Sequence, residues 1–128
     1  MKSALIIDDD NAIQAYLKRF IELKFHILVY QASNGLEGLK ILENIKPDFI
    51  LLDHSMPEMD GLEFLKIFKK EEKNINIPVF IISASKDSQI VQEMLNLGVD
   101  DYILKPINPE TTYNRILKVL THKPRIKI

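Results

Sequence analysis

The chain contains no cysteine. That excludes a disulfide framework, a thiolate metal site and a cysteine nucleophile, and it suits a reducing compartment. An excess of either charge is also missing. Its 17 basic and 18 acidic residues leave a formal net charge of -1, so no global field draws the protein to nucleic acid or anionic lipid. No apolar run approaches the roughly 20 residues that cross a bilayer. The opening stretch, MKSALIIDDD, turns acidic too soon to be a secretory signal. A cytoplasmic location, with neither a membrane nor a nucleic-acid partner, is expected. What is present is 128 residues, 46% hydrophobic and 27% charged, the size and composition of one domain able to close a single core.

Four short apolar runs end in a polar residue: ALII before Asp8, FILL before Asp53, VFII before Ser83 and YIL before Lys105. Continuous Ile- and Val-rich runs of this length match strands buried on both faces of a parallel sheet. A fifth run, HILVY over 26–30, lacks the polar ending. Between the runs, apolar residues recur at helical spacing. The stripes are Ile13, Leu17, Phe20 and Ile21; Leu36, Leu39 and Leu42; Leu62, Leu65 and Phe68; Ile90, Val91, Met94 and Leu95; and Tyr113, Ile116, Leu117 and Leu120. NGLE at 34–37 and DGLE at 60–63 carry a capping residue three positions before Glu, NPE at 108–110 sets Pro at a first helical position, and Gly98 follows MLNL as a stop. Strand and helix alternate five times, which predicts a small doubly wound α/β domain with parallel strands and helices on both faces.

Residues that directly follow parallel strands gather at one sheet edge, where open α/β sheets bind ligands. That rule brings together Asp8, Asp9, Asp53, Ser83 and Lys105. Three carboxylates about 5 Å apart at an effective dielectric near 20 repel pairwise by roughly 3 kcal/mol, so they require a cation or a proton. Oxygen donors without thiolate favour a hard ion, and two or three carboxylates with a backbone carbonyl suit Mg²⁺ better than the more crowded Ca²⁺ shell. Lys105 then fits as a phosphate partner and Ser83 as a hydrogen-bond donor. Such a site would hold or transfer a phosphoryl group with a carboxylate as acceptor.

The motifs IIDDD, LLDHSMPEMDG, FIISAS and DYILKPI stand in the order and spacing of one family. From about Ser3 to Leu120 the chain resembles a response regulator receiver domain of two-component signalling, of the chemotaxis-regulator type. The resemblance implies a single (βα)5 domain over 1–122 with a five-stranded parallel sheet of order 2-1-3-4-5, followed by a short basic tail at 123–128. It implies that Asp53 accepts a phosphoryl group from a histidine kinase or histidine phosphotransfer protein. Asp8 and Asp9, with Asp53 and the backbone carbonyl of Ser55, would hold Mg²⁺, with Mn²⁺ as a substitute. It further implies that Ser83 is the switch hydroxyl, Lys105 the phosphate-binding lysine and Tyr102 the switch aromatic, and that the bond before Pro106 is cis. Phosphorylation would change the face formed by the fourth helix, fifth strand and fifth helix, which a downstream protein reads, the chain being a monomer or a phosphorylation-dependent dimer. The protein would catalyse its own phosphorylation and dephosphorylation without turning over a separate substrate.

Other residues read more plainly. Asp60 is expected as a turn residue and helix cap, Asp10 as a loop or cap residue rather than a third metal ligand, and Asp100 and Asp101 as turn residues. The histidines His26, His54 and His122 lack ligand spacing, although His54 directly follows the acceptor and is expected beside the phosphate entrance. Ser55 and Ser85 occupy positions expected to affect acyl-phosphate lifetime, and Lys123, Arg125 and Lys127 a solvated end. Three alternatives compete. A haloacid-dehalogenase-type phosphohydrolase would use the Asp8 and Asp10 pair, but its pattern wants Thr or Val where Ala12 stands. A flavodoxin-type domain needs a Ser/Thr/Gly-rich phosphate loop where this chain has DDDN. A receiver-like interaction module that is never phosphorylated would not need the full set of matched residues, all of which are present.

Overall fold

The computed structural model describes residues 1–84 and 87–122. Ser85 and the basic tail at 123–128 lie outside them. Five strands, β1 (Ser3–Ile7), β2 (Leu28–Ala32), β3 (Phe49–Asp53), β4 (Val79–Ser83) and β5 (Asp101–Leu104), alternate with five helices. The helices are α1 (Asn11–Phe25), α2 (Gly35–Leu42), α3 (Gly61–Phe68), α4 (Gln89–Asn96) and α5 (Pro109–His122), and a 3₁₀ turn spans Glu72–Asn74. All pairings are parallel and the sheet order is β2-β1-β3-β4-β5, as the resemblance implies.

The apolar runs serve two cores at once, because successive side chains of a strand face opposite sides of the sheet. Leu5, Ile7, Ile50, Leu52, Val79 and Ile81 pack with residues of α2, α3 and α4 on one side. Ala4, Ile6, Phe49, Leu51, Phe80 and Ile82 pack with α1 and α5 on the other. Hence β1, β3 and β4, interior to the sheet, contain no exposed residue.

The helix signals hold at their ends. Asp10 caps α1, accepting from the N–H groups of Ala12 and Ile13, and Asp60 caps α3 in a full capping box with Glu63. Asn34 caps α2 by accepting from Glu37 N–H, while Glu37 reaches past the cap to Ser33 N–H. Asn108 accepts from Thr111 N–H as α5 starts at Pro109. Gly98, just beyond α4, has φ 98°, a conformation that a side chain disfavours.

Three expectations shift. The second strand starts at Leu28 rather than His26, because His26 ends α1 in the left-handed region at φ 56°. Leu36 is 48% exposed, and α2 buries Gly35, Gly38 and Leu42 instead; Ile90 of α4 is also exposed. Asp101, expected in a turn, opens β5 and pairs with Arg115 of α5 at 2.8 Å, while Asp100 precedes the strand and accepts from Val79 N–H.

Candidate functional site

The parallel register sets the strand ends level. Ile7 lies beside Leu52, Asp53 beside Ile82, and Ser83 beside Leu104. The residues that follow or close these strands therefore meet at the C-terminal edge of the sheet, between β1, β3, β4 and β5. Carboxylate oxygens of Asp8, Asp9 and Asp53 all lie within 4.8 Å of one another. Lys105 Nζ stands 3.9 Å from Asp53 Oδ1, and the Lys105 backbone N–H donates to Ser83 O at 2.8 Å. The Lys105–Pro106 bond is cis, as implied.

Asp8 and Asp53 are buried whereas Asp9 is exposed. Asp8 Oδ1 accepts from Asp10 N–H at 2.8 Å, but among the described residues its buried Oδ2 has no hydrogen-bond partner. A buried carboxylate oxygen with no donor, facing two further carboxylates, has the chemistry of an oxygen ligand for a hard divalent cation. Burial raises the Asp8 pKa from 3.8 to about 6, helped by the charges of Asp53 and Asp9 and opposed by Asp10 N–H and Lys105. Burial likewise raises the pKa of Asp53, against the pull of Lys105, His54 and Ser55 N–H. Two carboxyl groups are thus held where their charge is costly.

His54 sits beside the acid, its Nδ1 3.6 Å from Asp53 Oδ1 and 3.5 Å from Ile82 O. Ser83 closes β4 and is buried. Ser55 lies in the exposed turn two residues past Asp53. Tyr102 is farther along the edge strand. Its ring packs against the core beneath α3 and α4, and the Arg115 guanidinium lies over it at 4.9 Å. Asp10 is spent on capping α1 and does not join the carboxylate cluster.

One participant escapes a reading of the sequence. Gln14 belongs to the buried side of α1 with Leu17 and Ile21. Its amide reaches the carbonyls at the ends of β1 and β2. The available signal is its spacing, i, i+3 and i+7 with two core residues, where an amide interrupts an apolar stripe.

The fold agrees with that of known proteins. The model of the response regulator receiver domain matches residues 4–117. The "Probable C4-dicarboxylate response regulator DctR" of Bacillus subtilis is 35% identical over 124 residues, covering 96% of this chain and 54% of that protein. The nitrate/nitrite response regulator protein NarL of Escherichia coli is 38% identical over 107 residues, covering 83% of this chain and 49% of that protein. Among solved structures, the receiver domain of a signal transduction histidine kinase from Syntrophus aciditrophicus superposes with a TM-score of 0.86 at 28% identity, covering 99% of this chain and 96% of that one. The chain belongs to the response regulator receiver domains of two-component signalling. It spans about half the length of the curated relatives it matches. Among the described residues no helix is long and apolar enough to cross a membrane.

Proposed function

We propose that Asp53 is the phosphoacceptor of this receiver domain and takes its phosphoryl group from a phosphohistidine of a kinase or phosphotransfer partner. A carboxylate oxygen of Asp53 forms the new P–O bond as the P–N bond breaks, and the departing imidazole leaves on the partner with its electron pair. The observation that carries this reading is the setting of Asp53: buried at a strand end, among two further carboxylates and 3.9 Å from a lysine ammonium. Lys105 stands where it can neutralise a phosphoryl oxygen, and Ser83 ends the neighbouring strand β4 at the same sheet edge. Asp8, Asp9, Asp53 and the Ser55 carbonyl would hold Mg²⁺, with Mn²⁺ able to substitute. When bound, the ion supplies positive charge to the phosphoryl oxygens.

Tyr102 lies on the edge strand between α4 and α5, and the face α4-β5-α5 is the surface we assign to a downstream protein. A ligand shifts such a switch only by its differential affinity for the two states, so phosphate at Asp53 must favour one arrangement of Ser83 and Tyr102. The absence of cysteine is compatible with a cytoplasmic setting.

Incubation with Mg²⁺ and acetyl phosphate, followed by intact mass spectrometry, tests the assignment. Wild type is expected to gain one phosphoryl group that hydroxylamine removes, and Asp53→Asn to gain none. Equal labelling of both proteins, or a label mapped to Asp8, overturns it.

A further inference from the structure

We infer that Gln14 is a positioning residue for the metal site, acting through the backbone that carries Asp8. The inference rests on the metal reading above. Gln14 is 7% exposed, and its Nε2 lies 2.7 Å from Ala32 O, 2.9 Å from Asp8 O and 3.2 Å from Ile6 O. A side-chain amide has two N–H donors. The two shorter contacts take them, and the Ile6 carbonyl is a longer third neighbour.

These acceptors are the backbone oxygens where β1 and β2 stop being a ladder. Asp8 N–H still donates to Ala32 O at 3.0 Å, so Gln14 continues the pairing by one step beyond the last rung, binding the two strand ends through a side chain. The orientation of its amide is fixed from the other side. Gln31 Nε2 donates to Gln14 Oε1 at 3.1 Å and lies 3.3 Å from Gln14 O. The chain of contacts runs from Gln31 through Gln14 to the carbonyl of Asp8, and Asp8 leads directly to Asp9.

The Asp8 carboxylate itself has little else to hold it. Among the described residues, Asp8 accepts from Asp10 N–H on one oxygen and its second oxygen has no partner. A carboxylate oxygen of Asp8 lies within 4.8 Å of those of Asp9 and Asp53, so without a cation the ionised groups repel one another. A neutral amide anchored in the α1 core resists that repulsion without adding a charge. Groups behind a metal ligand fix its direction and thereby set affinity.

Binding of Mn²⁺, followed by the electron paramagnetic resonance signal of the free ion, reads this directly. Gln14→Met keeps the length of the side chain and removes both donors. It is expected to raise the Mn²⁺ dissociation constant about tenfold, the low end of the cost of losing support behind a metal ligand. A purely structural role would instead lower the melting temperature in EDTA and leave affinity alone. Asn74→Ala supplies that control, because Asn74 is another buried amide, bonded to Phe68 O at 3.0 Å and remote from the site; it is expected to destabilise without changing the dissociation constant. Unchanged Mn²⁺ affinity in a folded Gln14→Met protein overturns the inference. If that variant does not fold, Gln31→Ala decides: it removes only the donor that orients the amide, and affinity equal to wild type is the overturning result. A wild type that binds no Mn²⁺ sinks the metal reading itself, and this inference with it.

Discussion

Asp8 is stabilised on one oxygen and exposed to repulsion on the other, and the balance makes it a pH-dependent liability. Its pKa is about 6 in the folded chain against an ordinary value of 3.8. Well below the ordinary value of 3.8 the group is neutral in both folded and unfolded states and costs nothing. As pH rises toward and past 6, the folded state holds a proton that the unfolded state has already lost, so stability falls through that window. The difference of roughly two pH units corresponds to about 3 kcal/mol at neutral pH in the absence of metal. Asp8→Asn can still accept from Asp10 N–H but carries no charge. In EDTA at pH 7.5 it is expected to be the more stable protein by up to that amount in urea titrations, with the gap closing at pH 4. Saturating Mg²⁺ should reverse the order, since only wild type keeps the full carboxylate set. An equal pH slope in the two proteins without metal would show that the charge at Asp8 is not the cause.

At the scale of elements, the joint between β3 and α3 converts the strand end into a site. Gly61 opens α3 directly under Asp53: a Cβ there would stand 2.5 Å from Asp53 O and 2.9 Å from His54 Cα, both backbone atoms. Backbone cannot yield as a flexible side chain can, so Gly61→Ala is expected to cost about 1–3 kcal/mol as overpacking and to slow phosphorylation of Asp53 by displacing it. Asp60→Ala removes the neighbouring cap, at about 1 kcal/mol, but touches no backbone of Asp53. It should leave the initial rate of labelling by acetyl phosphate unchanged. Identical labelling rates for both variants would remove the packing argument. The same joint illustrates what a sequence exposes. DGLE announces its cap and helix through local chemistry, and FILLD announces its strand because both faces are buried and every residue is apolar up to the acid. Edge strands lack that uniformity: β2 exposes Leu28 and Gln31, and its start is hidden by the left-handed turn at His26. Leu36 fits the spacing of a buried stripe, yet glycines hold the buried side of α2, since close helix approach leaves no pattern of apolar residues to read. Gln14 is the clearest loss, because its role lies in carbonyls of two strands that become neighbours only in the folded sheet.

For the molecule as a whole, the acidic cluster exists only after folding. Asp8 and Asp9 leave β1, Asp53 ends β3, and the pairing of β1 with β3 brings them together. The unfolded chain offers no comparable site, so a cation that bridges them must stabilise the fold by linkage. At a free concentration one hundred times its dissociation constant, the gain is about 2.7 kcal/mol. For a domain of this size that corresponds to a rise on the order of 10 °C in melting temperature. The effect depends on coordination rather than on screening. Two of the three carboxylates are buried, where mobile salt reaches poorly, so NaCl at matched ionic strength should raise the melting temperature far less than MgCl₂. Asp9→Ala leaves the core and the buried pair intact while removing the exposed carboxylate, and it is expected to abolish most of the Mg²⁺ gain with little change in EDTA. Differential scanning fluorimetry of wild type and Asp9→Ala, each in EDTA, NaCl and MgCl₂, separates the cases. Equal gains in NaCl and MgCl₂ would reduce the site to a screened surface charge, and an undiminished Mg²⁺ gain in Asp9→Ala would move the ion elsewhere on the molecule.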